Sequence, residues 1–427
     1  MRLSRTLCTV VAFSLAAGCG AGGSSSGADG AGHEVRDSAG IRIVESQQPA
    51  WDEAEAWRIS PEPLFIIRGA DGSQENQLLD PNSVDVDPRG RIIIADGNQA
   101  GWDAVLVYDS AGGFLFRAGG PGQGPGEFGQ LWWASAYRGD SIIGDDKRWN
   151  RVNVSAPAGG YARQVDLPPL EGPVLTPGTT GYTDGIDAAF GSGHFLAYPR
   201  GYLDTSTDSE SVWFRHELLR LSPEGERWDT LGTFEIFEQF WDGSAAQQYW
   251  FGRTTVMALG PDHMYFGRGD GFQVGRYDAA GRLTDLLRRN YEPRPVTEEL
   301  KGRMRDWYME RIASNPRVND DMVERVRQQF REAIFAPTLP PYSHAMLDPD
   351  GYLWVEEYRW LPVIERAPVQ EPARWSVFDP DGVWLGTVET PPGLILRKVT
   401  RDRALGFMVD ELGVKEVYVH ALVRSGG

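Results

Sequence analysis

Cysteine is nearly absent from this chain. Its 427 residues include only Cys8 and Cys19. If a leader is removed ahead of Cys19, the mature body keeps one thiol, at its N-terminus. That excludes a disulfide framework, a cysteine-ligated metal and a thiol nucleophile in the fold. Histidine is scarce too: His33, His194, His216, His263, His344 and His420. None forms His-Glu-x-x-His, and no pair has metal-ligand spacing. No Gly-x-Ser-x-Gly stands at a strand-to-helix turn, so a hydrolase elbow is missing. The run Gly119-Gly-Pro-Gly-Gln-Gly-Pro-Gly126 lacks the Lys-Ser/Thr of a phosphate loop and opens no helix. No apolar run reaches the ~20 residues of a spanning helix. Positive charge is in deficit, with 42 Lys and Arg against 60 Asp and Glu, a net −18. An acidic body repels phosphate backbones, so nucleic acid is not an expected partner.

The N-terminus is a targeting signal rather than part of the fold. Arg2 and Arg5 precede an apolar run from Leu7 to Ala17, and Leu15-Ala-Ala-Gly-Cys19 follows. A basic start, a short apolar core and small residues before a cleavage point make a secretory signal. The small residues before Cys19 resemble the bacterial lipobox, with its Leu one place further from the Cys than is most common. The expectation is a signal peptide over 1–18, acylation of Cys19 and a Gly/Ser-rich tether over 19–33. Each buried acyl CH₂ contributes about 0.8 kcal/mol, so several chains hold the protein to a membrane. Gly20 follows the Cys, not Asp. By resemblance to Gram-negative lipoproteins, that implies a cell-envelope protein at the outer membrane.

The stretch from Asn82 to Phe128 organises the rest. Val84-Asp-Val-Asp-Pro-Arg-Gly90, Arg91-Ile-Ile-Ile-Ala-Asp96, Ala104-Val-Leu-Val-Tyr-Asp109 and Gly113-Phe-Leu-Phe116 alternate β-rich runs with turns. This pattern predicts a four-stranded antiparallel meander. Each Asp-x-x-Gly suits a hairpin, because Asp bonds the main chain ahead and Gly accepts positive φ. Related runs recur at Met257–Phe266, Val274–Gly281, Ala345–Glu357 and Trp375–Leu385. A four-stranded unit repeating every 40–50 residues or so predicts a β-propeller. Ala95-Asp96, Val107-Tyr108-Asp109, Gly112 and Gly124-Pro-Gly-Glu-Phe128 resemble the NHL-type repeat. The mature chain resembles a bacterial six-bladed, NHL-like propeller lipoprotein. The expected fold is all-β: a six-bladed β-propeller over 34–427 with a small helical hairpin inserted at about 291–342.

Blades are expected at 82–119, 131–167, 178–234, 255–289, 343–388 and 393–424. The last shows three strands, and the strand near 57–68 is expected to complete it. Glu34–Glu45 reads as one strand. Residues 235–254 read as an irregular connection. In 291–342, Thr297 caps one helix and Asn315-Pro316 stops it; Met322, Val326, Phe330 and Ile334 stripe a second.

Two sets of candidate site residues follow. Second strands end in charge, at Asp96, Asp145, Asp146, Arg268, Asp270, Glu356, Glu357, Asp410 and Glu411. If Asp96, Asp146, Glu356 and Asp410 converge, with Asn98 nearby, their hard oxygens suit Ca²⁺. If not, they bond loop amides. Aromatic residues crowd the same predicted face, at Trp132, Trp133, Phe240, Trp241, Tyr249, Trp250, Trp307 and Tyr308. With Arg268 they could line a pocket; the alternative is packing between lid and ring. Two functions stay open. One is a membrane-anchored binding or scaffold module for a small ligand, glycan or envelope protein, with its site at the channel mouth under the helices. The other is a Ca-dependent hydrolase or lactonase using channel carboxylates.

Overall fold

The computed structural model describes residues 32–68, 78–97, 103–167, 186–190, 192–204, 210–226, 228–314, 318–360, 371–410 and 413–424. Cys19, Asn98 and Glu411 lie outside them, as do the signal and most of the tether. By contacts the body is one unit, Gly32–Gly427.

Among the described residues, six sheets hold four or more strands each. The first runs Pro81–Val86, Ile92–Asp96, Ala104–Tyr108 and Phe114–Ala118; the second runs Leu131–Ala136, Ile142–Asp146, Arg151–Ser155 and Tyr161–Asp166. The third runs Ile186–Ala189, Phe195–Asp204, Ser211–Leu221 and Trp228–Trp241, with Ala246–Gln247 added outside. The fourth runs Val256–Leu259, His263–Gly267, Gln273–Asp278 and Leu283–Arg289; the fifth runs Tyr342–Leu347, Leu353–Glu357, Arg374–Phe378 and Trp384–Glu389. In the sixth, Ile395–Val399, Arg403–Val409 and Lys415–Val423 are joined by Arg58–Ile67, which pairs antiparallel with the last strand. The expected joining of the two ends of the body in one sheet is therefore present.

The turns follow the local chemistry. Asp87, Asp109, Asp278, Asp348, Asp379 and Asp410 each accept a main-chain N–H from two to four residues ahead. The glycine three places after each has positive φ, from 78° to 88°. At Gly281 a Cβ would also meet the Leu231 carbonyl oxygen at 1.9 Å, so that turn seats directly on the third sheet.

Packing between sheets is apolar. One cluster joins the first and second sheets through Ile93, Val105, Leu131 and Ile142. Others join the second and third through Trp133, Val152, Phe195 and Leu221, and the third and fourth through Leu196, Leu218, Met264 and Phe266. The fourth meets the fifth through Tyr265, Val274, Leu353 and Phe378; the fifth meets the sixth through Trp354, Trp375, Leu396 and Val399. The sixth meets the first through Leu405, Val419, Ile92 and Leu106. Trp354 and Trp375 are fully buried; each such side chain contributes about 1.5–3 kcal/mol or more through its apolar area. Four-stranded meanders packed face to face in chain order define a β-propeller.

Three expectations need correction. Glu34–Glu45 is a hairpin, His33–Ser38 with Ile41–Ser46, and its second strand pairs parallel with Leu283–Arg289. The Ala39-Gly40 pair, both at positive φ, turns the chain there. Residues 235–241 continue the outer strand of the third sheet, because Ser211–Phe214 extends the neighbouring strand to pair with them. Ile334 is not helical: Ile334–Phe335 pairs parallel with Tyr249–Trp250. The helices themselves are α1, Glu298–Ser314, and α2, Asp320–Arg331. The Thr297 hydroxyl accepts the Leu300 N–H at 3.2 Å, as expected of a cap. Met304 and Phe330 from the two helices are buried with Phe251, Ala336 and Leu339.

Candidate functional site

A cavity of about 570 Å³ opens between the third and fourth sheets and the segment that follows α2. Its walls come from Ser211–Trp213 and Arg215, Glu235 and Glu238, Arg253, Gly269–Gly271, and Ala336–Leu339. Among the described residues, none from the first strand of any sheet lines it.

Local strand geometry aims these side chains. Ser211, Trp213 and Arg215 alternate along one strand, so period-two pleating places them on one face. Glu235 and Glu238 are three apart and would point to opposite faces of a regular strand. The pairing skips a residue here, with Phe214 opposite Phe237 and Arg215 opposite Glu235. That bulge at Ile236 returns both glutamates to the cavity side. Arg268 and Asp270 ride on a tight turn after the second strand of the fourth sheet. Gly269 and Gly271 have φ of +81° and +150° there. The Tyr342 hydroxyl accepts the Gly269 N–H at 2.8 Å and donates to the Gln273 carbonyl at 2.7 Å, pinning the turn.

The charges form an alternating ladder. Asp204 pairs with Arg215 at 2.8 Å, and Arg215 with Glu235 at 2.6 Å. Glu235 pairs with Arg268, Arg268 with Asp270 at 2.5 Å, and Asp270 with Arg253. Arg253 then pairs with Glu238 at 2.8 Å, and Glu238 accepts the Ser211 hydroxyl. Burial works against the Glu238 charge. The Arg253 side chain and N–H and the Ser211 hydroxyl outweigh it and hold the carboxyl below its ordinary value. The hydrogen bond to Glu238 raises Arg253 in turn, against the pull of burial. Trp213 lies among these cations, with Arg253 at 5.1 Å and Arg268 at 5.4 Å from its ring. Such contacts contribute about 0.5–2 kcal/mol each. The result is a stiff, charged wall around Trp213, with Tyr249 and Tyr291 also lining the cavity.

Of the predicted aromatic residues, Tyr249 lines the cavity, while the tryptophans pack elsewhere. Trp133 is buried between the second and third sheets, and Trp132 lies under Lys147 at 4.2 Å. Trp250 stacks on Phe330 at 5.1 Å within the helical cluster, and Trp307 sits on α1 beside Tyr308. Trp241 ends the outer strand of the third sheet, paired with Ala246. None of these five lines the cavity; Arg268 borders it through Glu235 and Asp270. Sequence reasoning missed Trp213, Arg215, Glu235, Glu238 and Arg253. The alternation Ser211-x-Trp213-x-Arg215 was a usable signal for one face.

The expected calcium set does not fit a metal either. Among the described residues, no group of three or more His, Cys, Asp or Glu side chains could hold a metal ion. Asp96 accepts the Leu79 and Asp80 N–H groups, at 3.0 and 2.7 Å. Burial pushes its carboxyl up to about 6, against those hydrogen bonds. Asp146 accepts the Gly129 and Gln130 N–H groups at 3.1 Å and pairs with Arg151 at 3.0 Å. Glu356 pairs with Arg359 at 2.6 Å, and Asp410 closes its turn onto the Val414 N–H at 2.8 Å. Asp96, Asp146 and Asp410 thus bond main-chain amides of nearby loops, whereas Glu356 pairs with an arginine.

Fold and cavity together define a β-propeller with a charge-laddered pocket. No family model and no curated protein matches the sequence. Among solved structures it is similar to a DUF4221 family member from Bacteroides vulgatus, at 12% identity and a TM-score of 0.47, covering 87% of this chain and 99% of that one. It is also similar to a gluconolactonase from Xanthomonas campestris, at 11% identity and 0.36, covering 81% and 88%. A third is regucalcin, a calcium-binding protein from Agrobacterium tumefaciens, at 9% identity and 0.35, covering 86% and 95%. Identities this low assign no activity.

Proposed function

We propose that this chain is an extracytoplasmic, lipid-anchored, six-bladed propeller of NHL-like type that binds a small ligand or a segment of a partner. Its site is the cavity between the third and fourth sheets. The single observation carrying this reading is that cavity, where the charge ladder and Trp213 face open space. A rigid wall of paired charges loses little on meeting a ligand, since its side chains are already ordered. The six-blade count is supported by the six apolar clusters, the last of which joins the sixth sheet to the first. The helical hairpin is an insertion between the fourth and fifth blades, and its following segment, Ala336–Leu339, roofs the cavity.

The anchor reading rests on Leu15-Ala-Ala-Gly-Cys19. Changing Cys19→Ser should abolish labelling by radioactive palmitate and release the protein from the membrane fraction. Membrane retention of an unlabelled variant would remove the anchor. For the site, a thermal-shift screen of the full chain in detergent against sugars and small metabolites should give a stabilising compound. At 100 times its Kd the stabilisation is about 2.7 kcal/mol. Trp213→Ala and Arg215→Ala should each lose that shift. A hit unaffected by both would place binding elsewhere. A calcium-dependent hydrolase is not carried forward, because the carboxylates it needs are engaged one by one in separate loops.

A further inference from the structure

A second cavity, of about 660 Å³, adjoins the first and shares Tyr291, Pro293 and Pro341 with it. Its chemistry is reversed. Arg289, Arg294 and Arg374 line it, against Glu292 and Glu357. A local excess of arginine stands out in a chain of net charge −18.

The three arginines are unequally committed. The Arg289 guanidinium lies 3.8 Å from the Phe272 ring centre and 4.7 Å from that of Trp384, and it pairs with Glu357 at 2.7 Å. Glu357 is thereby occupied; it also accepts the Ser376 hydroxyl at 3.3 Å. Arg374 reaches Glu357 and Glu389 only at 3.7 and 3.8 Å, with its side chain 57% exposed. Arg294 donates one N–H to the Tyr358 carbonyl at 2.6 Å, leaving donors over. Between the two cavities, the buried Tyr291 hydroxyl has no hydrogen-bond partner among the described residues.

We infer that this second cavity is an oxyanion subsite, and that the ligand of the proposed site is elongate with a carboxylate or phosphate at one end. Arg374 and Arg294 take the oxyanion, Arg289 supplies fixed positive charge behind them, and the body of the ligand passes Tyr291 toward Trp213. Planar guanidinium groups suit both anions, because each presents paired oxygens to a fork of N–H donors. This inference rests on the reading of the first cavity as a binding site.

The test uses the full chain in detergent at fixed ionic strength, titrated with inorganic phosphate and separately with glucuronate. A saturable rise in melting temperature with either, over matched chloride, is expected. A response to phosphate alone identifies a phosphate end, and a response to glucuronate alone a carboxylate end. Arg374→Glu and Arg294→Glu should each weaken binding about tenfold or more, the scale of lost charge-assisted hydrogen bonds. Because a glutamate at 374 would face Glu357 and Glu389, Arg374→Gln and Arg294→Gln are measured beside the reversals; they add no negative charge, should nearly keep the melting temperature without anion, and should still weaken anion binding. No anion-specific shift, or a shift that survives both reversals, overturns the inference. A neutral hit in the screen that loses its shift in Trp213→Ala, beside a failed anion titration, sinks only this inference. Failure of the screen as well sinks the reading beneath it.

Discussion

The strand ends of the first two sheets and that of the fourth sheet occupy the same place in the repeat, yet their charges do different work. Asp96 and Asp146 turn inward and tie down the main chain entering their own sheets. In the fourth sheet the second strand ends at Gly267, and a glycine-flanked turn carries Arg268 and Asp270 outward. There they meet Glu235 and Arg253 from outside that sheet. A carboxylate spent on backbone amides is structural; one held by guanidinium groups beside a cavity remains part of a surface a ligand can meet. The partner, not the position in the repeat, decides which.

Mutation sharpens this contrast. The largest effect is expected at Asp146→Ala, which leaves buried Arg151 without its counter-ion and two main-chain N–H groups without an acceptor. Breaking such a pair from one side costs about 3–5 kcal/mol, readable as a lower urea midpoint. Equal stability of the variant would mean the pair does not hold that loop.

The two regions should also respond to pH with opposite sign. The Asp96 carboxyl is raised from 3.8 to about 6 in the fold. The native state then binds more protons, so this contribution is full below about 4 and is lost as pH rises through about 6. Its ceiling is about 3 kcal/mol by the pKa difference. Asp96→Asn should remove that slope from urea midpoints measured between pH 4 and 7. An unchanged slope would show Asp96 ionised throughout.

Glu238 behaves the other way. Its carboxyl is lowered from 4.5, so its contribution is present above that value and disappears on acidification below it. Glu238→Gln should cost about 2 kcal/mol at neutral pH, the scale of hydrogen bonds to charged groups, and should flatten the acid limb. A variant with the wild-type acid limb would mean that Arg253 does not depend on Glu238. The smallest change is expected at Arg268→Gln. That side chain is 48% exposed, so its pairs contribute at most about 1 kcal/mol. A much larger loss would show the ladder acting as one cooperative unit.

Much of the fold was legible locally. Asp-x-x-Gly turns and alternating apolar runs report directly on neighbours a few residues away, so the meanders, the Thr297 cap and both helices could be read. The outer strand of the third sheet was misread because Glu235–Trp241 looks polar and aromatic without clean alternation. The bulge at Ile236 breaks the period there. The aromatic site was misread for a different reason. Trp133 and Trp250 carry the same signature in a pocket wall as in a core, and only packing tells them apart.

The sequence alone determined an acidic, cysteine-poor chain of repeated four-stranded units, since composition and turn chemistry act over short spans. Only the tertiary structure decided where a site could be. Asp204, Glu235, Arg253 and Arg268 are distant along the chain, and no periodicity links them. They meet because two sheets pack side by side and one residue is added to one strand.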